Sequence, residues 1–371
     1  MPLYTKNMVI LLISISLFFS SFYLLLPTLP LYVQHMGGHQ KDVGVIIGVF
    51  TISSVVIRVF AGRFTDKFGR KMLLLLGAFI FFVSPPLYYV ASAVQPLFFV
   101  RIFHGAGIAF FTVSSISMIA DMSPPHRRGE AFGAFGLSAM VALSGSPAVG
   151  TWLLTHFSFA AVFLAEAFLA GASLLLCIFI KETLHPYNPK SEQKIKGVSL
   201  PSVIIFLCTL TYGSIVAFLP FSARNISDFG FFYTAYAVSS IVVRIPMGKI
   251  SDRLGRQKVI LPGLITISFA LILLAYSDTV LLLVLSGVLY GLGFSTVYPT
   301  LTALLVDTIP EEARASGLSI FTASFDLGIG AGSFIFGFLP LFWMYPIGSV
   351  VVLSGAFLFY LAERSSFSSS S

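Results

Sequence analysis

Gly62-Arg63-Phe64-Thr65-Asp66-Lys67-Phe68-Gly69-Arg70-Lys71 returns 186 residues later as Gly248-Lys249-Ile250-Ser251-Asp252-Arg253-Leu254-Gly255-Arg256-Gln257, half-way along a chain of 371 residues. The register continues outward from this segment without a gap. Ser53 and Ser54 meet Ser239 and Ser240, Arg58 meets Arg244, and Gly77 meets Gly263. Gly105 and Gly107 meet Gly291 and Gly293, Asp121 meets Asp307, Pro124 meets Pro310 and Arg128 meets Arg314. Charged, glycine-punctuated turns copied between long apolar runs predict two related halves working against each other across a membrane.

Composition sets the class. With 57% hydrophobic and only 10% charged residues, and a mean hydropathy of +0.94, the chain has too little polar surface to cover a water-soluble domain. Apolar stretches near the roughly 20 residues that cross a bilayer as helix follow one another almost without gaps. The spans are expected at 7–33, 42–61, 71–92, 95–119, 130–153, 157–181, 199–222, 228–247, 257–276, 279–306, 313–338 and 340–361. This is an all-α membrane protein of about 12 transmembrane helices in two parallel-repeat six-helix bundles. The first run lacks a small-residue cleavage site and continues through Pro27 and Pro30, so it reads as helix one rather than a signal peptide. Strand-like alternation is absent, and 39 Phe with 31 Gly suit close helix packing in lipid.

The charges orient the chain. Arg63, Lys67, Arg70, Lys71, Arg127, Arg128, Lys181, Lys190, Lys194, Lys196, Lys249, Arg253, Arg256, Lys258 and Arg314 fall on one side, Lys41 and Arg224 on the other. The positive-inside pattern then places both termini in the cytoplasm, with a bacterial cytoplasmic membrane as the expected location. It also accounts for the +7 net charge without any nucleic-acid partner. The polar stretch around His185-Pro186-Tyr187-Asn188-Pro189-Lys190 divides the chain into a first bundle, 1–181, a cytoplasmic linker, 182–198, and a second bundle, 199–371. Cys177 and Cys208 lie inside spans and read as buried structural thiols, with no metal-ligand spacing and no cofactor motif.

At the repeated segment the chain resembles the major facilitator superfamily, whose signature between helices two and three reads G-x-x-x-D-x-x-G-R-[KR]. Gly62, Asp66, Gly69, Arg70 and Lys71 match it fully; Gly248, Asp252, Gly255 and Arg256 match until Gln257. Arg101-Ile102-Phe103-His104-Gly105-Ala106-Gly107 resembles the family's helix-four motif R-x-x-x-G-x-G, and Gly136, Gly145, Pro147 and Gly150 resemble its helix-five antiporter motif. The resemblance covers the whole chain and implies the drug or small-molecule:proton antiporter branch. It further implies a charge network holding the halves together in the outward-facing state. In that network Asp66 faces a neighbouring helix N-terminus and Arg70 bridges to Asp121, with Asp252, Arg256 and Asp307 repeating it. Gly62 and Gly69 are expected to permit tight backbone approach.

Ionisable groups inside spans are costly unless paired or wetted, so Arg58, Arg101, Glu166, Arg244 and Asp326 are informative. Arg101, His104, Glu166 and Asp326 are the candidates for proton coupling or switching. Arg58 and Arg244 are read as snorkelling to the interface. Three such arginines against two acids favour a substrate with negative or zwitterionic charge. Helix one has no acidic residue, a departure from multidrug antiporters that use a carboxylate there. Its Pro27-Thr28-Leu29-Pro30 segment is expected to break the helix, hinge it and expose carbonyls to a cavity. Pro27, Pro30, Tyr212, Tyr236 and Tyr298 are the cavity candidates.

The function expected is proton-coupled secondary transport, exporting a small organic molecule by alternating access as a monomer in the bilayer. Proton-linked uptake of a sugar or organic anion is the alternative within transporters; a receptor or lipid scramblase is the alternative outside them. The chain is not expected to be an enzyme: it has no H-E-x-x-H, G-x-S-x-G or cysteine cluster, and no G-x-x-x-x-G-K-[ST] for an ATP-driven pump.

Overall fold

A computed structural model describes residues 3–124, 127–183, 199–223, 226, 228–310 and 314–368. It contains twelve α-helices among those residues and no strand: α1 Lys6–His35, α2 Gln40–Phe68, α3 Arg70–Val90, α4 Val94–Met122, α5 Arg128–His156, α6 Phe159–Ile178, α7 Leu200–Ser222, α8 Phe231–Leu254, α9 Arg256–Ala275, α10 Val280–Thr308, α11 Arg314–Phe336 and α12 Leu341–Ser368. Eleven are long and apolar enough to cross a membrane. Among the described residues, α8 contributes the shorter apolar stretch Phe231–Arg244.

Two compact units divide at Met1–Asn188 and Pro189–Ser371. In the first, α1 packs on α5 and α6, α3 on α4 and α6, and α2 on α4. In the second, α7 packs on α11 and α12, α9 on α10 and α12, and α8 on α10. These are the same five pairs advanced by six helices, so the sequence repeat is a repeat of packing.

The repeated segment itself is helix rather than loop. Residues 62–68 are the last two turns of α2, and 248–254 those of α8. Their residues are adequate helix formers, and Thr65 returns its hydroxyl to the Ala61 carbonyl at 2.7 Å. The chain turns only at Gly69 and Gly255, with φ of +97° and +92°, where a side chain would be strained. A second expectation fails at α1, which runs unbroken through Pro27 and Pro30, both buried. Gly150 of α5 lies so close that a Cβ would be 2.5 Å from the Leu24 carbonyl oxygen, and this packing supports the segment from outside the helix.

Glycine sets the α3–α4 crossing in the same way. A Cβ on Gly77 would lie 2.5 Å from the Phe111 nitrogen and 2.7 Å from the Gly107 oxygen. Beside this contact Phe18 stacks on Phe111, with ring centroids 3.7 Å apart, and lies against Phe81 at 3.9 Å. The second unit repeats the crossing: a Cβ on Gly293 would lie 2.8 Å from the Gly263 oxygen. Gly77→Ala is therefore expected to cost about 1–3 kcal/mol through overpacking, read as a lower unfolding temperature of the purified protein in detergent.

Candidate functional site

At the α2–α3 turn, Arg70 Nε lies 2.9 Å from Asp121 Oδ2, at the end of α4. Thr183 donates its hydroxyl to that same carboxylate oxygen at 3.0 Å. The first backbone N–H groups of α3, those of Arg70 and Lys71, donate to the carboxylate of Glu182 at 3.2 and 3.0 Å. Lys71 Nζ donates to the Ile178 carbonyl at 2.7 Å. An anion at a helix N-terminus satisfies orphan donors and complements the helix dipole, and here Glu182 supplies it. Sequence reading had placed this residue in the linker. The turn thus ties α3, α4 and the end of α6 together within the first unit. The surroundings of Asp66, Gly248 and Asp252 lie outside the described residues. Gly62 has open space where a side chain would project, so tight approach does not explain it; at Gly69 a Cβ would lie 2.7 Å from Glu182 Oε2.

The second unit keeps a thinner copy. Arg256 Nε donates to Asp307 Oδ2 at 3.1 Å and Nη1 to Ser251 Oγ at 3.3 Å. In the helix-five motif, Pro147 and Gly150 are buried and Gly136 is half-buried, but Gly145 faces open space.

Deeper in the first unit, four helices bring polar side chains together. Arg101 and His104 stand three residues apart on one face of α4, and both are buried. Arg101 Nε donates to the Ile46 carbonyl of α2 at 3.1 Å, and its guanidinium carbon lies 4.1 Å from the centre of the Phe50 ring. Arg101 Nη1 donates to the Tyr88 hydroxyl of α3 at 3.4 Å. That hydroxyl is also 2.9 Å from His104 Nδ1. His104 Nε2 is 3.9 Å from Glu166 Oε1 of α6. Both groups are fully buried, and neither that nitrogen nor either Glu166 oxygen has a hydrogen-bond partner. Phe81 presents its ring to His104 at 4.0 Å, and Tyr32 of α1 donates to the Tyr88 carbonyl at 2.9 Å. Glu166 is thus an interior residue of the first unit. Tyr88, the centre of the cluster, was missed: a tyrosine near a span end reads as an interfacial anchor, and only the α3–α4 packing turns it inward.

Asp326 is not part of this cluster. It is half-buried on α11 of the second unit. There the cavity candidates form a ring ladder. Tyr212 lies 5.6 Å from Tyr236 and 6.2 Å from Tyr290, and Phe294 lies 6.2 Å from both Tyr290 and Tyr298. Tyr298 is 5.5 Å from Phe325. Cys177 and Cys208 are buried and unbridged.

The family model described as Major Facilitator Superfamily matches residues 11–224 and again 201–370. The chain is 24% identical to the staphylopine export protein of Staphylococcus aureus, over 91% of each chain. It is 24% identical to the multi-drug resistance efflux pump PmrA homolog of Lactococcus lactis, over 85% of this chain and 84% of that one. Among solved structures it is similar to the POT family transporter PepTSo, with a TM-score of 0.80 at 12% identity over 98% of this chain and 99% of the other.

Removing the Glu182 carboxylate leaves two N–H groups of α3 without their acceptor. Glu182→Ala is expected to lower stability by about 1 kcal/mol in denaturant unfolding, and Lys181→Ala, beside it on the exposed surface, to stay within about 0.5 kcal/mol.

Proposed function

We propose that this chain, which belongs to the Major Facilitator Superfamily, is a proton-coupled exporter of a small organic molecule. The observation that carries the coupling is the buried cluster of the first unit. A carboxyl group in hydrocarbon costs several kcal/mol when charged and unpaired. Glu166 has an imidazole 3.9 Å away and no hydrogen bond, so binding and releasing a proton changes its energy strongly. Export is supported by relatives named for export and efflux, and by the helix-five motif. Gly150 of that motif is seated against the backbone of α1.

The two units are then the moving bodies of alternating access, with both termini cytoplasmic and one chain sufficient. Asp66, Arg70 and Asp121, with Asp252, Arg256 and Asp307, act as the latch of one end state. Substrate meets the tyrosine ladder of Tyr212, Tyr236 and Tyr298, where Asp326 supplies a charge. Rings and hydroxyls together accept an organic molecule with an apolar body and a few polar groups.

In proteoliposomes, an imposed pH gradient is expected to drive substrate movement against its own gradient, and a protonophore to abolish it. Transport indifferent to the gradient would remove proton coupling. The substrate is found by thermal shift: a compound at 100 times its Kd raises stability by about 2.7 kcal/mol. Asp66→Asn is expected to slow transport without reducing the amount of inserted protein; unchanged transport would remove the latch.

A further inference from the structure

We propose that Tyr88 fixes the tautomer of His104, so that Glu166 is the group that carries the proton and His104 is a neutral donor held against it. This rests on the proton-coupled reading above and assigns its parts.

Hydrogen-bond polarity leads to the assignment. A guanidinium has only donors, so in the 3.4 Å contact between Arg101 Nη1 and the Tyr88 hydroxyl the oxygen accepts. The single hydroxyl proton of Tyr88 is then free for its other partner, His104 Nδ1, 2.9 Å away. Nδ1 must accept it. A neutral imidazole has one N–H, and with Nδ1 accepting, that N–H is on Nε2. This nitrogen points toward Glu166 Oε1 at 3.9 Å and has no other partner.

A doubly protonated His104 fits the surroundings poorly. Its Nδ1–H would have to donate into an oxygen already accepting from Arg101, displacing the tyrosine proton. It would also set a second cation beside the guanidinium in a space closed by the rings of Phe50 and Phe81. The groups facing the site are few among the described residues. Helix α3 contributes Tyr88, α4 Arg101 and α6 Glu166, while α2 offers the Ile46 carbonyl and the Phe50 ring. The hydroxyl of Tyr32, on α1, is taken up by the Tyr88 carbonyl. Among the described residues, Glu166 is the acid that His104 meets.

The step balances simply. A proton adds to a Glu166 carboxylate oxygen, forming the neutral acid, and leaves from the same oxygen on release. His104 keeps its Nε2–H throughout, facing carboxylate and acid alike. The guanidinium stays charged and fixes the polarity of the chain of contacts, which makes Tyr88 and Arg101 positioning residues.

The test is nitrogen NMR of the full-length chain, histidine-labelled, in lipid nanodiscs, with His104 assigned by its loss in His104→Gln. The expected spectrum has a bare Nδ1 and a protonated Nε2. Tyr88→Phe should mix or invert the tautomers. Tyr32→Phe, which loosens the same residue without touching its hydroxyl, should leave them unchanged. A protonated Nδ1 in the unaltered protein, or a tautomer insensitive to Tyr88→Phe, would overturn the assignment even if transport is gradient-driven. Conversely, gradient-independent transport with the expected tautomer would defeat the coupling and spare the geometry. In transport, His104→Gln, which keeps a neutral N–H donor, should retain pH dependence at a reduced rate, whereas Glu166→Gln should lose it. The opposite pattern would make His104 the carrier. If Glu166→Gln inserts poorly, Glu166→Asp decides instead, by a displaced pH midpoint; an unmoved midpoint would count against Glu166.

Discussion

Within hydrocarbon there is no water to answer a polar atom, so each one must be satisfied by the chain or be left at a cost. The whole architecture follows from that constraint. Helices satisfy the backbone, and serine and threonine hydroxyls mostly return to carbonyls one turn back, as Thr28 does to Leu24 and Thr112 to Ile108. Where two helices must come close enough to exclude lipid, glycine is placed at the contact. Against this accounting, the open atoms of Glu166 and His104 stand beside the unpartnered hydroxyls of Ser21, Ser114 and Thr234. Among the described residues, Glu166 keeps both carboxylate oxygens without a hydrogen bond in a fully buried position.

The duplication makes the two units comparable position by position. Phe50 of the first corresponds to Tyr236, His104 to Tyr290, Arg101 to Gly287 and Glu166 to Val352. Packing has been kept while chemistry has diverged. One unit holds cation, imidazole and acid where the other holds rings and hydroxyls, with Tyr290 turned to Thr211 at 3.2 Å. At these positions the duplication has kept the scaffold and exchanged the side chains.

How much was legible in the sequence depended on the range of the interaction. Span number and order were readable because hydropathy is a property of consecutive residues, and the repeat because its register has no gaps. The Arg70–Asp121 pair was readable because the resemblance implies that network and Asp121 has a repeat counterpart in Asp307. The helical nature of residues 62–68 was not, since charge and glycine there suggested a loop, and only the positive φ at Gly69 marks the true turn. Glu182 and Tyr88 were missed for a common reason: each acquires its role from a helix more than seventy residues of chain away or from a packing angle, and neither leaves a local signal. His104 and Glu166 were each suspected alone, but their meeting depends on how α4 and α6 both lie against α3.

The two turns also differ in how far water reaches them. The side chains of Arg70 and Asp121 are 11% and 17% exposed, those of Arg256 and Asp307 27% and 55%. Glu182 closes the first turn, and the sequence has Ser368 at the position 186 residues on. Mobile ions screen exposed pairs far more than sheltered ones. Rising ionic strength therefore weakens the second turn while the first still holds, and the equivalence inherited from duplication is lost in a saltier medium.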